Sequence, residues 1–194
     1  MTLLTLTTVL FLIMDPLGQL KSFIQCFEGI DPKRQKFILF RELFIALGFI
    51  LLFNYIGEFI FSLLQISEVT VYLSSGIILF LCSIKILFPG RNDELPPRPL
   101  GEPFLVPIAI PMIAGPALLA TVMLYAETVE SKMLMLLAIF ISWSLTAIIH
   151  FYSKQIVRLL GSSGLTACEK LMGMVLVLLS VQRFFEGILL IAKQ

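Results

Sequence analysis

The segment IMDPLGQL, residues 13–20, places an acidic residue, a proline and a glycine in the middle of an apolar run that covers residues 3–27. Aspartate is a strong helix N-cap because its carboxylate accepts hydrogen bonds from the free N–H groups of the first turn. Proline suits the first helical position because no N–H is needed there. Asp15, Pro16 and Gly18 therefore predict a helix that restarts deep in the membrane, with a carboxylate and free amide groups available to a ligand.

A second interruption has the same character. The segment AGPALLAT contains Ala114, Gly115 and Pro116, where Gly115 is expected to cap or unwind the chain and Pro116 to open the next helix. Each restarted helix presents unpaired N–H groups and the positive end of its dipole, so two of them would attract the carboxylate of a small zwitterionic solute. Asp15 would then receive the ammonium group or carry a coupling proton or cation. The alternative is that both interruptions are kinks packed against neighbouring helices.

Three other ionisable residues lie in or beside apolar runs. Arg183 and Glu186 are three residues apart and share one helix face, which predicts an ion pair between them; the alternative is that Arg183 neutralises Asp15. Lys21 is expected to extend toward the membrane interface, with contact to the substrate as the alternative. Ionisable groups inside a membrane are energetically costly and are usually functional.

Several kinds of chemistry lack the residues that they need. Cys26, Cys82 and Cys168 are far apart and His150 is the only histidine, so we expect no metal site, and no cofactor is expected. The segment GSSG, residues 161–164, matches an intramembrane serine protease pattern, but glycine and serine here predict a turn and no activating base accompanies them. Without a Walker A sequence either, the chain is not expected to be an enzyme. A net charge of +1 provides no basic surface for nucleic acid.

The elements that must position these residues are membrane helices. The chain is 58% hydrophobic and 14% charged, with a mean hydropathy of +0.99, whereas soluble domains carry about 25% charged residues. Its apolar runs have the length that spans a lipid bilayer as a helix. The expected fold is an all-α polytopic membrane protein with six transmembrane helices, of which helices 1 and 4 are interrupted. The six runs are residues 2–27, 37–59, 69–88, 104–127, 132–152 and 169–192.

Basic residues indicate how these helices are oriented. Ten lie in or beside the connections between helices 1–2, 3–4 and 5–6: Lys33, Arg34, Lys36, Arg41, Lys85, Arg91, Arg98, Lys154, Arg158 and Lys170. The opposite side has only Lys132 and Lys193. Because basic residues accumulate on the cytoplasmic side, we expect both termini to be external, which is periplasmic for a bacterial inner membrane.

The chain is expected to consist of two halves. Residues 89–103, PGRNDELPPRPLGEP, form a polar, proline-rich linker on the predicted cytoplasmic side. It separates a first group of three helices, residues 1–88, from a second group, residues 104–194. An odd number of helices in each group gives the two groups opposite orientations in the membrane.

The two groups also resemble each other in sequence. An offset of 97 aligns residues 76–90 with residues 173–187 and gives six identities in fifteen positions, including two glycines and a serine. An offset of 100 places Asp15 and Pro16 opposite Gly115 and Pro116. Inverted repeats with interrupted helices in corresponding positions are typical of secondary transporters whose site is near the middle of the membrane.

Three segments, MDPLGQLKSF, PIAIPMIAGPALLATVM and LMGMVLVLLSVQRFFEGI, resemble the MarC family of bacterial inner-membrane proteins, which includes proteins similar to small neutral amino acid transporters. The resemblance extends over nearly the whole chain. It implies six membrane helices with external termini and, for some members, transport of glycine and other small neutral amino acids. The site that it implies consists of Asp15, Pro16, Gly18, Ala114, Gly115 and Pro116.

The expected function is secondary transport or export of small neutral amino acids, such as glycine or alanine, across the bacterial inner membrane. The alternative is a non-transporting integral membrane component, such as an assembly or stress-related interaction protein. The first hypothesis requires the Asp15 carboxylate, whereas in the second the linker of residues 89–103 matters and Asp15 does not.

Overall fold

The computed structural model describes residues 2–27, 29–88, 113–129 and 131–192, and within these ranges all regular secondary structure is helical. Four of the helices are long and apolar enough to cross a membrane, namely α3, α4, α6 and α7, and α1 is a shorter apolar helix. The helices are α1 (Leu3–Met14), α2 (Leu20–Cys26), α3 (Pro32–Leu64), α4 (Glu68–Leu87), α5 (Pro116–Thr128), α6 (Lys132–Phe151) and α7 (Ser153–Ala192).

Polar residues begin the long helices at short connections. The Ser67 side chain accepts a hydrogen bond from the Thr70 N–H at the start of α4, and the Ser131 side chain accepts one from Leu134 at the start of α6. Asp31 caps α3, whose first residue is a proline. These caps satisfy N–H groups that a helix cannot pair internally, and they allow successive helices to follow one another with few residues between them.

Two helices are longer than the sequence predicts. The predicted span of residues 37–59 lies inside the 33-residue α3, and the predicted span of residues 169–192 lies inside the 40-residue α7. The turn predicted at residues 161–164 is present at its first residue, because Gly161 has a non-helical backbone (φ 67°, ψ −179°) that divides α7 into two helical segments. Glycine adopts this backbone conformation without a steric penalty, so the chain changes direction at this residue.

Part of the predicted organisation lies outside the described residues. This applies to the linker of residues 89–103 and to residues 104–112, the first part of the predicted fourth helix. The division into residues 1–88 and 104–194 remains a prediction, as does an interruption inside the fourth helix. The described part of that helix begins at Pro116, where the sequence predicts a helix start.

The helices pack as neighbouring pairs. Helix α4 lies along α7, α1 packs against α6, and α3 packs against α5, which also contacts α1 and α4. Small residues allow α4 and α7 to approach closely: a Cβ added to Gly76 would lie 3.1 Å from the Ser180 carbonyl oxygen, and one added to Gly173 would lie 3.0 Å from Ile86 Cγ2. Close backbone approach at small residues is the usual packing mode of membrane helices.

The surface of the bundle is strongly apolar. Large hydrophobic side chains remain exposed along the long helices, for example Phe37, Tyr55 and Phe59 on α3 and Leu178 and Phe185 on α7. Soluble proteins rarely expose apolar surface of this extent. These side chains therefore face the hydrocarbon of a bilayer, while the interior of the bundle contains the buried polar groups described below.

Candidate functional site

The first predicted interruption is present at Asp15. Helix α1 ends at Met14, Asp15 adopts a left-handed backbone conformation (φ 44°, ψ 53°), and α2 begins only at Leu20. Asp15 is therefore the C-cap of α1, and the prediction that it is the N-cap of the next helix is wrong in detail. The physical reason is that aspartate tolerates the left-handed region better than most residues do, so the chain turns at Asp15 before it coils again.

Residues 16–19 form the turn that connects the two helices, and their side chains and amides satisfy the groups freed by the break. Gly18 N–H donates to Asp15 Oδ1 at 3.1 Å, Gln19 N–H donates to the Asp15 carbonyl at 3.3 Å, and Gln19 Nε2 donates to the Met14 carbonyl at 3.2 Å. An interrupted helix is tolerated inside a membrane only where such partners exist. Specific hydrogen bonds therefore stabilise the break.

The Asp15 carboxylate is buried and only half satisfied. The residue is 1% exposed, and its second carboxylate oxygen, Oδ2, has no hydrogen-bond partner among the described residues. Gly18 leaves room for this carboxylate, because a Cβ at position 18 would lie 2.8 Å from Asp15 Cγ. A buried carboxylate oxygen without a partner can accept a hydrogen bond from a ligand or hold a proton.

The second predicted interruption lies at the start of α5. Gly115 is the N-cap in an extended conformation (φ −70°, ψ 156°), Pro116 is the first helical residue, and Leu119 N–H donates to the Gly115 carbonyl at 3.0 Å. Ala114 is fully buried, whereas Pro116 is exposed. Glycine has no side chain that could cap this helix start, so among the described residues the first amides of α5 are available for an anion.

The two predicted interruptions border one apolar core. Helix α1 packs against α5, and Met14, immediately before the first break, shares one apolar core with Ala114 and Ala117 beside the second. The Thr146 hydroxyl of α6 donates to Met14 Sδ at 3.3 Å and ties the end of α1 to the same core. Both predicted segments therefore border the same apolar core.

The other predicted ionisable residues have different surroundings. Lys21 is exposed on α2. Arg183 is 3% exposed and its Nη2 donates to the Tyr125 hydroxyl at 2.5 Å, while Glu186 accepts a hydrogen bond from Gln182 at 3.0 Å. These two partners take the place of the ion pair expected between Arg183 and Glu186.

The Arg183 guanidinium lies between two aromatic rings. Its central carbon is 4.6 Å from the centroid of the Tyr125 ring and 5.7 Å from that of Tyr72, which are favourable cation–π distances. Its Nη1 atom is buried and has no partner among the residues that the structure describes. Tyr125 is not among the site residues predicted from the sequence, although a tyrosine inside an apolar run is the signal that could have identified it.

Comparison with known proteins identifies the family. A family model described as "MarC family integral membrane protein" matches residues 1–192. The chain belongs to the MarC family. It is therefore a multi-pass integral membrane protein, and its similarity to an inner membrane protein of Escherichia coli assigns this MarC protein to the inner membrane.

The MarC protein has relatives that match over nearly their whole length. A UPF0056 membrane protein of Buchnera aphidicola (subsp. Acyrthosiphon pisum) is 44% identical over 187 residues, which cover 96% of this chain and 95% of the relative. The UPF0056 inner membrane protein YhgN of Escherichia coli K12 is 42% identical over 188 residues, with coverages of 96% and 95%. A UPF0056 membrane protein of Chlamydia pneumoniae is 31% identical over 188 residues, with coverages of 96% and 93%. No solved structure matches the chain.

Proposed function

We propose that this MarC protein is a secondary transporter or exporter of small neutral amino acids across the bacterial inner membrane. The observation that carries the proposal is the Asp15 carboxylate, which is buried at a helix break inside an apolar bundle and has one oxygen without a partner in the described part of the chain. Such a group is costly in a membrane and is usually retained for binding or ion coupling.

The chemistry of the two breaks fits a small zwitterion. The uncapped start of α5 attracts a carboxylate, since free amides and the helix dipole both favour negative charge. Asp15 Oδ2 accepts a hydrogen bond from the ammonium group, or binds the coupling proton or cation. Glycine and alanine carry both charges on a frame small enough to lie between two closely packed helices.

We further propose six membrane spans in two inverted halves, residues 1–88 and 104–194. The contacts between α4 and α7 support this arrangement. The added Cβ of Gly76 would meet Arg183 and Phe184, and that of Gly173 would meet Ile86 and Leu87. The offset of 97 that aligns the two halves relates these contacts: it takes Gly76 to Gly173, Ile86 to Arg183 and Leu87 to Phe184. Two halves related by a pseudo-twofold axis in the membrane plane would have this reciprocity.

The charge distribution supports an orientation with both termini on the periplasmic side. Lys33, Lys36 and Lys154 lie at the α2–α3 and α6–α7 connections, and all three are exposed. These connections are at the cytoplasmic end by the distribution of basic residues. The two halves would then approach the Asp15 region from opposite sides of the membrane.

Transport by purified protein in proteoliposomes tests the role of the carboxylate. We expect the wild type to exchange radiolabelled glycine or alanine and Asp15→Asn to lose at least nine-tenths of that activity. Asparagine tolerates the left-handed conformation of position 15 and keeps the backbone break, so the loss would report the charge. Asp31→Asn is the matched control, because Asp31 is an exposed N-cap and asparagine caps as well as aspartate does.

Two results would count against transport. One is an Asp15→Asn variant that inserts normally and transports at the rate of the wild type. The other is a wild type that moves no member of a panel of neutral, acidic and basic amino acids. If, in addition, deletion of residues 89–103 changed the phenotype of cells while Asp15→Asn did not, the non-transporting alternative would be favoured.

A further inference from the structure

A cavity of about 410 Å³ opens between α2, α3, α6 and the start of α7, next to the α2–α3 and α6–α7 connections. Its wall is mainly aromatic and aliphatic and includes Phe23, Phe27, Leu39 and Phe151. Binding cavities for small molecules usually have such a lining with a few well-placed polar groups. This volume is far larger than glycine needs, so the cavity has room for a larger solute.

One polar side chain in the wall of this cavity is His150. It is 2% exposed, its Nδ1 lies 2.8 Å from the Thr146 carbonyl oxygen, and its Nε2 has no partner within the described ranges. A carbonyl oxygen can only accept a hydrogen bond, so Nδ1 carries the proton of the neutral ring and Nε2 is left as an acceptor. The Phe23 ring packs edge-on against the imidazole at 4.5 Å between centroids and fixes its orientation. A ligand in this cavity would therefore donate a hydrogen bond to His150 Nε2.

Positive charge lies at the edge of the same cavity. Lys36 of α3 and Lys154 of α7 both line it and both are exposed. The cavity thus combines two cations for a carboxylate, an acceptor for an amine or hydroxyl group, and an apolar wall for a hydrocarbon or aromatic body. An α-amino acid with an apolar side chain has these three features on one small molecule.

The cavity is also connected to the Asp15 break through a short chain of contacts. His150 bonds to the Thr146 carbonyl, the Thr146 hydroxyl donates to Met14 Sδ, and Met14 directly precedes Asp15. On the other side, Phe23 lies on α2, the helix that follows the break. A solute in the cavity is therefore next to the elements that change direction at Asp15.

From these observations we infer that this cavity is an entry site for α-amino acids with apolar side chains larger than that of alanine, such as phenylalanine. The carboxylate of the solute binds Lys36 and Lys154, its ammonium group donates to His150 Nε2, and its side chain packs against Phe23 and Phe27. The inference rests on the proposed transport function and extends its substrate class beyond glycine and alanine.

Equilibrium binding to the purified full-length protein in nanodiscs tests the inference with three probes: L-phenylalanine, 3-phenylpropionate, which lacks the ammonium group, and phenethylamine, which lacks the carboxylate. We expect L-phenylalanine to bind at least tenfold more tightly than either analogue, because each analogue leaves one charge-assisted hydrogen bond unmade. Equal or tighter binding of 3-phenylpropionate would overturn the inference and indicate a site for fatty acids or other simple amphipathic anions.

Two sets of variants assign the contacts. His150→Phe keeps a ring of similar size and removes the acceptor, so it should weaken L-phenylalanine about tenfold and leave 3-phenylpropionate unchanged. Lys36→Gln with Lys154→Gln changes only exposed side chains, so the variant should fold, and it should weaken both carboxylates. Lys33→Gln, which alters an exposed lysine of the same helical turn outside the cavity wall, is the control. Unchanged binding of L-phenylalanine to the double lysine variant would contradict the inference.

Glycine and alanine transport measured on the same preparations separates this inference from the proposed function. If the wild type transports glycine but does not bind L-phenylalanine, the cavity inference is wrong and transport stands. If L-phenylalanine binds with the expected dependence on His150 and the lysines but no amino acid is transported, the binding site stands and the transport proposal fails.

Discussion

At residue scale, Gly18 is the position where one added atom disturbs the proposed site most directly. A Cβ there would lie 2.6 Å from Asp15 Oδ1 and 2.8 Å from Cγ, so Gly18→Ala must displace the carboxylate or break the hydrogen bond from Gly18 N–H. We expect a loss of about 1–3 kcal/mol in the free energy of unfolding, the usual cost of overpacking, together with reduced transport. Unfolding in detergent, followed by circular dichroism, measures the first effect.

Gly48→Ala is the matched control for this substitution. Gly48 lies in α3, is exposed, and has no atom within 4 Å of an added Cβ. Alanine is the better helix former by about 1 kcal/mol, so this variant should be as stable as the wild type or slightly more stable. A Gly18→Ala variant with the stability and transport of the Gly48→Ala variant would show that the Asp15 carboxylate does not need its present position.

Features of the site that depend on adjacent residues can be predicted from the sequence, whereas contacts between distant residues cannot. The break at Asp15 is predictable because left-handed and helix-breaking tendencies are properties of a few adjacent residues. The partner of Arg183 is not, because Tyr125 lies 58 residues earlier in the chain and meets the guanidinium only after α5 packs near α7. The ion pair expected with Glu186 followed from spacing within one helix, and spacing alone omits neighbours from other helices.

At the scale of helices, the α4–α7 contact makes a graded prediction. An added Cβ at Gly76 would meet backbone atoms, the Ser180 carbonyl oxygen at 3.1 Å and the Phe184 nitrogen at 3.2 Å. At Gly173 it would meet side-chain ends, Ile86 Cγ2 and Leu87 Cδ2, which can rotate away. We therefore expect Gly76→Ala to destabilise the protein more than Gly173→Ala, by about 1 kcal/mol or more.

Thermal unfolding of both variants in the same detergent measures this difference, with Gly48→Ala again as the control for helix propensity. Equal stability of the two variants, or the reverse order, would indicate that α4 and α7 are not held by close backbone contact.

The positions of the long helices are the part of the fold best predicted from sequence, since length and apolar content define membrane helices. Their ends are less predictable: α3 begins at Pro32, before the apolar run of residues 37–59, because Asp31 caps the helix there.

At the scale of the whole molecule, the proposed six spans and inverted halves fix the side of the membrane on which each connection lies. With the three native cysteines replaced by serine, single cysteines at Ser67 and Ser131 should react with a membrane-impermeant maleimide in intact spheroplasts. Those at Lys33 and Lys154 should react only after the membrane is permeabilised. All four positions are exposed, so a lack of reaction reports the membrane barrier and not burial in the protein.

The residue at position 131 is decisive, because it lies between α5 and α6 and reaches the outside only if the span that ends in α5 crosses the membrane. If Ser67→Cys but not Ser131→Cys were labelled before permeabilisation, the second half would have the wrong orientation for an inverted repeat. The two halves would then not approach the Asp15 region from opposite leaflets.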